Sequence, residues 1–113
     1  MNPRNEELRL KDIHSALIDI LNVRNLLAHY PDNPLISRVS RDAINYQLIV
    51  LGEAITGLSR EYRKVNPHIK WQEIIDLRNQ LAHQYFEIDA STVDIIIEER
   101  LRALFEFVNP IFE

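Results

Sequence analysis

The chain has 113 residues, 46% of them hydrophobic and 27% charged, which supports one small globular domain over 1–113 with a core that gains from a second chain. Two Gly and five Pro beside abundant Leu, Ile, Glu and Arg favour helices over a many-turned β architecture, and the absence of Cys excludes disulfides, thiolate catalysis and Cys-based zinc sites and fits a reducing cytoplasm. A net charge of −4 argues against wide nonspecific coating of RNA, although Pro31 to Phe86 carries seven basic against six acidic residues while Glu87 to Glu113 carries two against seven, so the middle of the chain is free to meet a phosphate locally.

The opening Met1-Asn2-Pro3-Arg4-Asn5-Glu6-Glu7 lacks the apolar core of a signal peptide, and no apolar run reaches the roughly 18 residues of a membrane span, so a soluble, cytoplasmic protein is expected. A first helix is predicted from about Asn5 to Leu27, with Leu10, Ile13, Leu17, Ile20, Leu21 and Leu27 as its apolar stripe and Arg24 inside that stripe. Pro31-Asp32-Asn33-Pro34 reads as a turn. Ser40 is then the expected cap of a second helix reaching about Tyr62, which buries Ile44, Leu48, Leu51, Ile55, Leu58 and Tyr62. Gly52 flanks that face. A glycine inside a helix costs about 1 kcal/mol, so it marks either the close approach of a helix or ligand or a tolerated defect.

After Arg63-Lys64-Val65-Asn66, the segment Pro67-His68-Ile69-Lys70 is a connector, and Trp71 opens a third helix with Ile74, Ile75, Leu81 and Ala82 inward. Arg78 falls in this stripe too, and a long cation on an apolar face calls for a partner or a cleft. After the turn Glu87-Ile88-Asp89, either Asp89 or Ser91 caps a fourth helix burying Val93, Ile96, Ile97, Leu101, Leu104 and Val108 and ending before Pro110. Four helices with short joins predict an all-α fold, an antiparallel four-helix bundle.

The third helix ends on Arg78-Asn79-Gln80-Leu81-Ala82-His83-Gln84-Tyr85, which sets a guanidinium, an imidazole and a phenol within two helical turns. The first forks onto phosphate oxygens, the second exchanges a proton near neutral pH, and the third carries a modifiable hydroxyl. At about 100° per residue Tyr85 lies within roughly 20° of Arg78, whereas His83 is turned by about 140°, so either the helix ends here or a second chain completes the site. An echo of this segment lies in the first helix. Asp19 to His29 matches Glu73 to His83 at six positions, including Arg24 with Arg78 and His29 with His83. It is either a duplicated helical hairpin or the convergence of two amphipathic helices, and Arg24 is expected to serve packing.

Gly52-Glu53-Ala54 followed by Trp71-x-x-Ile74-Ile75-x-x-Arg78-Asn79-x-x-Ala82-His83-x-Tyr85-Phe86-x-Ile88-Asp89 closely resembles the HepT-like toxins of the HEPN superfamily, whose signature is Arg-x4-6-His-x-Tyr. The close match covers about Ala43 to Asp89, and the outer helices agree only in length and pattern. The resemblance implies a helical-bundle ribonuclease toxin, usually a homodimer. Its implied partner is an adjacent MntA-like nucleotidyltransferase antitoxin, which silences the toxin by transferring AMP onto the motif tyrosine, here Tyr85.

RNA carries its own nucleophile, the 2′-hydroxyl, so a metal-free nuclease needs a base to take that proton and a cation to hold the crowded phosphorane. His83 and Arg78 are the catalytic candidates for those roles, with Asn79 in support, either orienting His83 or donating to the phosphate. The acid needed for the leaving 5′-oxygen calls for a second histidine, which a two-fold interface supplies as the other chain's His83. Plainer readings exist for each residue: a helix-end histidine favoured by the dipole, a buried ion-pair arginine, a core tyrosine with its hydroxyl at the rim. His14 and His68 fall at no metal-ligand spacing, so neither a metal nor another cofactor is expected. A non-catalytic helical module that binds nucleotide or presents substrate to a partner nucleotidyltransferase, or an interaction bundle alone, are the competing classes.

Overall fold

Leu10, Ile13, Leu17 and Ile20 recur every three or four residues, and together with Ala16 they are the buried face of α1 (Pro3–His29). The computed structural model describes residues 3–83 and 88–112, and every regular element among them is helical. No helix in it is long and apolar enough to cross a membrane. Leu21, expected in the stripe, is instead 42% exposed, and Leu27 is half-buried. The buried face of α1 therefore ends near Ile20.

α2 (Pro34–Thr56) starts six residues before the expected cap. Asn33 is the cap: its Oδ1 accepts from the Leu35 and Ile36 N–H groups, both at 3.0 Å, and Pro34 takes the first helical position, where a missing N–H costs nothing. Ser40 lies a turn and a half inside the helix and is buried, so the small side chain serves packing. α2 also stops early, at Gly57. The Ser59 hydroxyl accepts from Tyr62 N–H and starts a separate short helix, α3 (Arg60–Lys64), so Tyr62 sits on α3. Burial holds the Tyr62 phenol above its ordinary pKa, and the nearby Glu6 carboxylate adds to this.

α4 (Trp71–His83) begins where expected, with Trp71, Ile74, Leu77 and Leu81 buried and Ala82 exposed. The Trp71 indole N–H donates to Asn66 O at 3.0 Å and fixes the α3–α4 corner. Asp89 caps α5 (Ala90–Ile96) by accepting from the Ser91 N–H. The Ser91 bonds hold the Asp89 carboxyl below its usual range. The chain continues as one helical stretch through a π-helical segment, Ile97–Leu101, into α6 (Arg102–Val108) and a final 3₁₀ turn at Asn109–Ile111. Val93, Ile97, Leu101, Leu104 and Val108 of this stretch are buried.

α1 and α2 form an antiparallel pair: a four-residue join connects them at one end, and at the other Glu6 Oε1 accepts from Ser59 N–H at 3.0 Å. α4 lies against α2, and α6 lies against α1. Arg41 forks onto Asp94 at 2.5 and 3.0 Å, tying α2 to α5, and Arg100 reaches Glu73 of α4 at 2.7 Å. Cross-helix ion pairs thus frame a core made almost wholly of Leu, Ile and Val.

Candidate functional site

α2 and α4 approach each other closely at Gly52. A Cβ built there would lie 2.6 Å from Arg78 Cγ and closer still to Arg78 Cβ, so of the two readings of Gly52 the close approach of a helix holds. The glycine lets the base of the Arg78 side chain press against the α2 backbone. One residue on, Glu53 ion-pairs with Arg78 Nη2. Arg78 Nη1 donates to Asn79 Oδ1 at 3.0 Å. The third donor, Nε, is enclosed and lacks a hydrogen-bond partner among the described residues. The guanidinium is therefore held at its stem and at both terminal nitrogens, yet 26% of the side chain stays exposed.

Asn79 braces Arg78 rather than His83 in this arrangement. His83 ends α4 and is exposed, and no hydrogen bond to its ring is found among the described residues. Arg78 and His83 thus share one end of one helix without touching in any hydrogen bond. Tyr85 falls outside the described residues. Among the described residues, no three His, Asp or Glu side chains gather closely enough to hold a metal ion.

The echo segment follows the same local plan with a different backing. Arg24 on α1 ion-pairs with Glu98, which lies in the π-helical segment and also meets Arg102 at 3.4 Å. The Arg24 hydrogen bond, and then its charge, hold the Glu98 carboxyl below its usual range. Arg24 and Glu98 line a mostly apolar recess of about 310 Å³ with Leu17, Ile20, Leu101 and Phe105. His29 Nδ1 lies 2.8 Å from Asn25 O, one turn back on its own helix. Arg24 is thus tied across to a second helix at the edge of an apolar recess.

Glu53 is the residue at this site whose role the sequence left unassigned. It lies 25 positions from Arg78, and its only sequence signal was membership of Gly52-Glu53-Ala54.

The family described as ribonuclease HepT-like matches residues 32–111. Two proteins of Methanocaldococcus jannaschii, each named a putative RNase, are 32% and 33% identical to the chain over 88 residues, covering 74% of it and 73% and 76% of themselves. A protein of Thermococcus cleftensis named a probable ribonuclease HepT is 26% identical over 70 residues, covering 62% of the chain and 64% of its own length. No solved structure matches. The matched span runs from the α2 cap to the last 3₁₀ turn and contains the Gly52–Arg78 contact and His83, and over it the chain belongs to the HepT-like family of the HEPN superfamily.

Proposed function

We propose that the chain is an endoribonuclease toxin, a homodimer of four-helix bundles that cleaves RNA without a metal ion through Arg78 and His83. Membership of a ribonuclease family supports the reaction class. The observation that carries the residue assignment is the pairing of a stem-clamped, part-exposed Arg78 with an exposed His83 at one helix end. A clamped stem limits the rotamer freedom lost when the guanidinium meets a phosphate, and an exposed imidazole is within reach of a substrate hydroxyl.

In this reading His83 of one copy takes the proton of the RNA 2′-hydroxyl, and the 2′-oxygen attacks the adjacent phosphorus. Arg78 stabilises the phosphorane, exchanging part of its contact with Glu53 for phosphate oxygens. The bond to the 5′-oxygen breaks and that oxygen takes a proton from the second copy's His83, leaving a 2′,3′-cyclic phosphate and a 5′-hydroxyl. An MntA-like nucleotidyltransferase silences the toxin by joining AMP from ATP to the Tyr85 hydroxyl, with release of pyrophosphate. The added phosphodiester then competes with RNA for the cation.

The Arg78–Glu53 ion pair also fits the second reading, a non-catalytic module, because a neutralised arginine needs no substrate. One experiment separates them. Purified protein is incubated with total RNA in EDTA beside His83→Ala, and new ends are mapped. Cyclic-phosphate ends that vanish with His83→Ala establish the nuclease. Ends equally abundant in both preparations, or absent from both, overturn it in favour of the module.

A further inference from the structure

The opposite end of α4 bears a second concentration of charge that the cleavage chemistry does not use. An open basin of about 620 Å³ at the α3–α4 corner is lined by Arg60, Arg63, Lys64 and Lys70, together with Ile69 and the first turn of α4. From these residues, resting on the ribonuclease reading above, we infer that the basin is an RNA backbone anchor that holds phosphates upstream or downstream of the scissile bond.

The argument rests on which cations in this acidic chain are already spent. Arg24, Arg41, Arg78, Arg100 and Arg102 each pair with a carboxylate. None of the four basin cations has an ion pair within 4 Å among the described residues. The one carboxylate on the wall, Glu73, is already forked by Arg100, at 2.7 Å from Nε and 3.3 Å from Nη2. Four uncompensated cations around one concavity therefore sit in a protein of net charge −4. Their mutual repulsion is relieved by a polyanion that releases counterions on binding.

The wall tells phosphate from base. Trp71, its one aromatic residue, is 6% exposed and spends its indole N–H on Asn66, so it presents no face for stacking. Recognition of the backbone, without sequence preference, is what such a surface provides. At 1.5 Å of rise per residue the basin wall at Gln72 stands about 9 Å from Arg78 and about 17 Å from His83 along α4, within the span of one short oligonucleotide.

The test uses a single-stranded 2′-O-methyl oligonucleotide, which lacks the hydroxyl nucleophile and so binds without being cut. Lys64→Gln/Lys70→Gln is compared with Lys11→Gln/Arg38→Gln, which removes two exposed cations, equally unpaired among the described residues, from elsewhere on the surface. Loss of two phosphate contacts lowers the slope of log affinity against log salt by about 1.4, at about 0.7 per contact for single strands, and weakens binding roughly tenfold at low salt. The control pair stays within about twofold of wild type, and cleavage of natural RNA by the basin variant shows a raised KM with unchanged kcat. Equal losses in both pairs, no change in the basin pair, or no binding by wild-type protein overturns the anchor. Cleavage is scored separately: a wild type that binds with this contrast but leaves natural RNA intact keeps the anchor and removes the nuclease reading.

Discussion

The chain writes nearly the same phrase twice, from Asp19 to His29 and from Glu73 to His83, and gives the two copies different surroundings. Each arginine pairs with a glutamate on a neighbouring helix, so an ion pair alone does not separate them. What differs is the stem and the histidine. Arg78 presses against the bare backbone of Gly52, whereas Arg24 borders a recess with Leu17, Ile20 and Leu101. His29 is tied to its own helix through Asn25 O, and His83 shows no such bond among the described residues. Similar residue strings thus meet different surroundings, and under the proposed ribonuclease reading one serves packing and the other chemistry, because a helix face acquires its role from what the opposing helix leaves open.

The largest effect should come from truncating the two arginines side by side. Arg78→Ala is expected to lower kcat/KM for RNA by about 10²- to 10³-fold, the usual loss when a donor to a developing anion is removed. Arg24→Ala should change activity per folded molecule by less than about threefold, and lower stability only slightly, because its ion pair is part-exposed and screened. Cleavage assays on material normalised by its folded fraction check both. Comparable losses of activity would make the two halves functionally equivalent and end the contrast.

Gly52→Ala probes the contact that distinguishes them. Alanine gains about 1 kcal/mol over glycine in a helix interior, but overpacking costs about 1–3 kcal/mol. The steric loss should win here, because the clash is with Arg78 Cβ and Cγ, atoms fixed close to the α4 backbone that cannot swing aside. Urea denaturation is expected to show net destabilisation of about 1–2 kcal/mol, with cleavage falling at least tenfold as Arg78 shifts. A stabilised variant would show that α2 and α4 separate freely at this point.

Much of the frame was readable from spacing alone. The Leu and Ile residues recurring at three and four became the buried stripes, and Asp89 caps its helix as its side-chain chemistry dictates. The start of α2 departs from the expectation because Pro34, which reads as part of a turn, is equally suited to a first helical position once Asn33 caps it. Leu21 was placed inward by periodicity, but a stripe is buried only as far as a neighbour covers it. The π-helical segment has no mark in Ile97-Glu98-Glu99-Arg100-Leu101, since no Gly or Pro interrupts it. At the site, Arg78 declared itself as a charge on an apolar face. Its partner Glu53 required the fold, because no local rule links residues 25 apart. The basin cations were visible as Arg63-Lys64 and nearby Lys70, but only the structure shows that Glu73 beside them is already engaged by Arg100.

The smallest expected effect concerns the charge pair of Arg24 with Glu98. The Glu98 carboxyl is held below its ordinary range, first by the Arg24 hydrogen bond and then by its charge, so folding favours the ionised form. A depressed folded pKa contributes stability that is fully present above the unfolded value, near 4.5, and is lost as pH falls through the folded value. The stability difference between wild type and Glu98→Gln should therefore be constant from pH 7 to about pH 5.5 and then shrink toward zero on further acidification. Arg24→Ala should flatten that pH dependence, which denaturation curves collected from pH 7 down to pH 3 would reveal. A wild-type advantage over Glu98→Gln that stayed unchanged down to pH 3 would mean that the ion pair is a bystander.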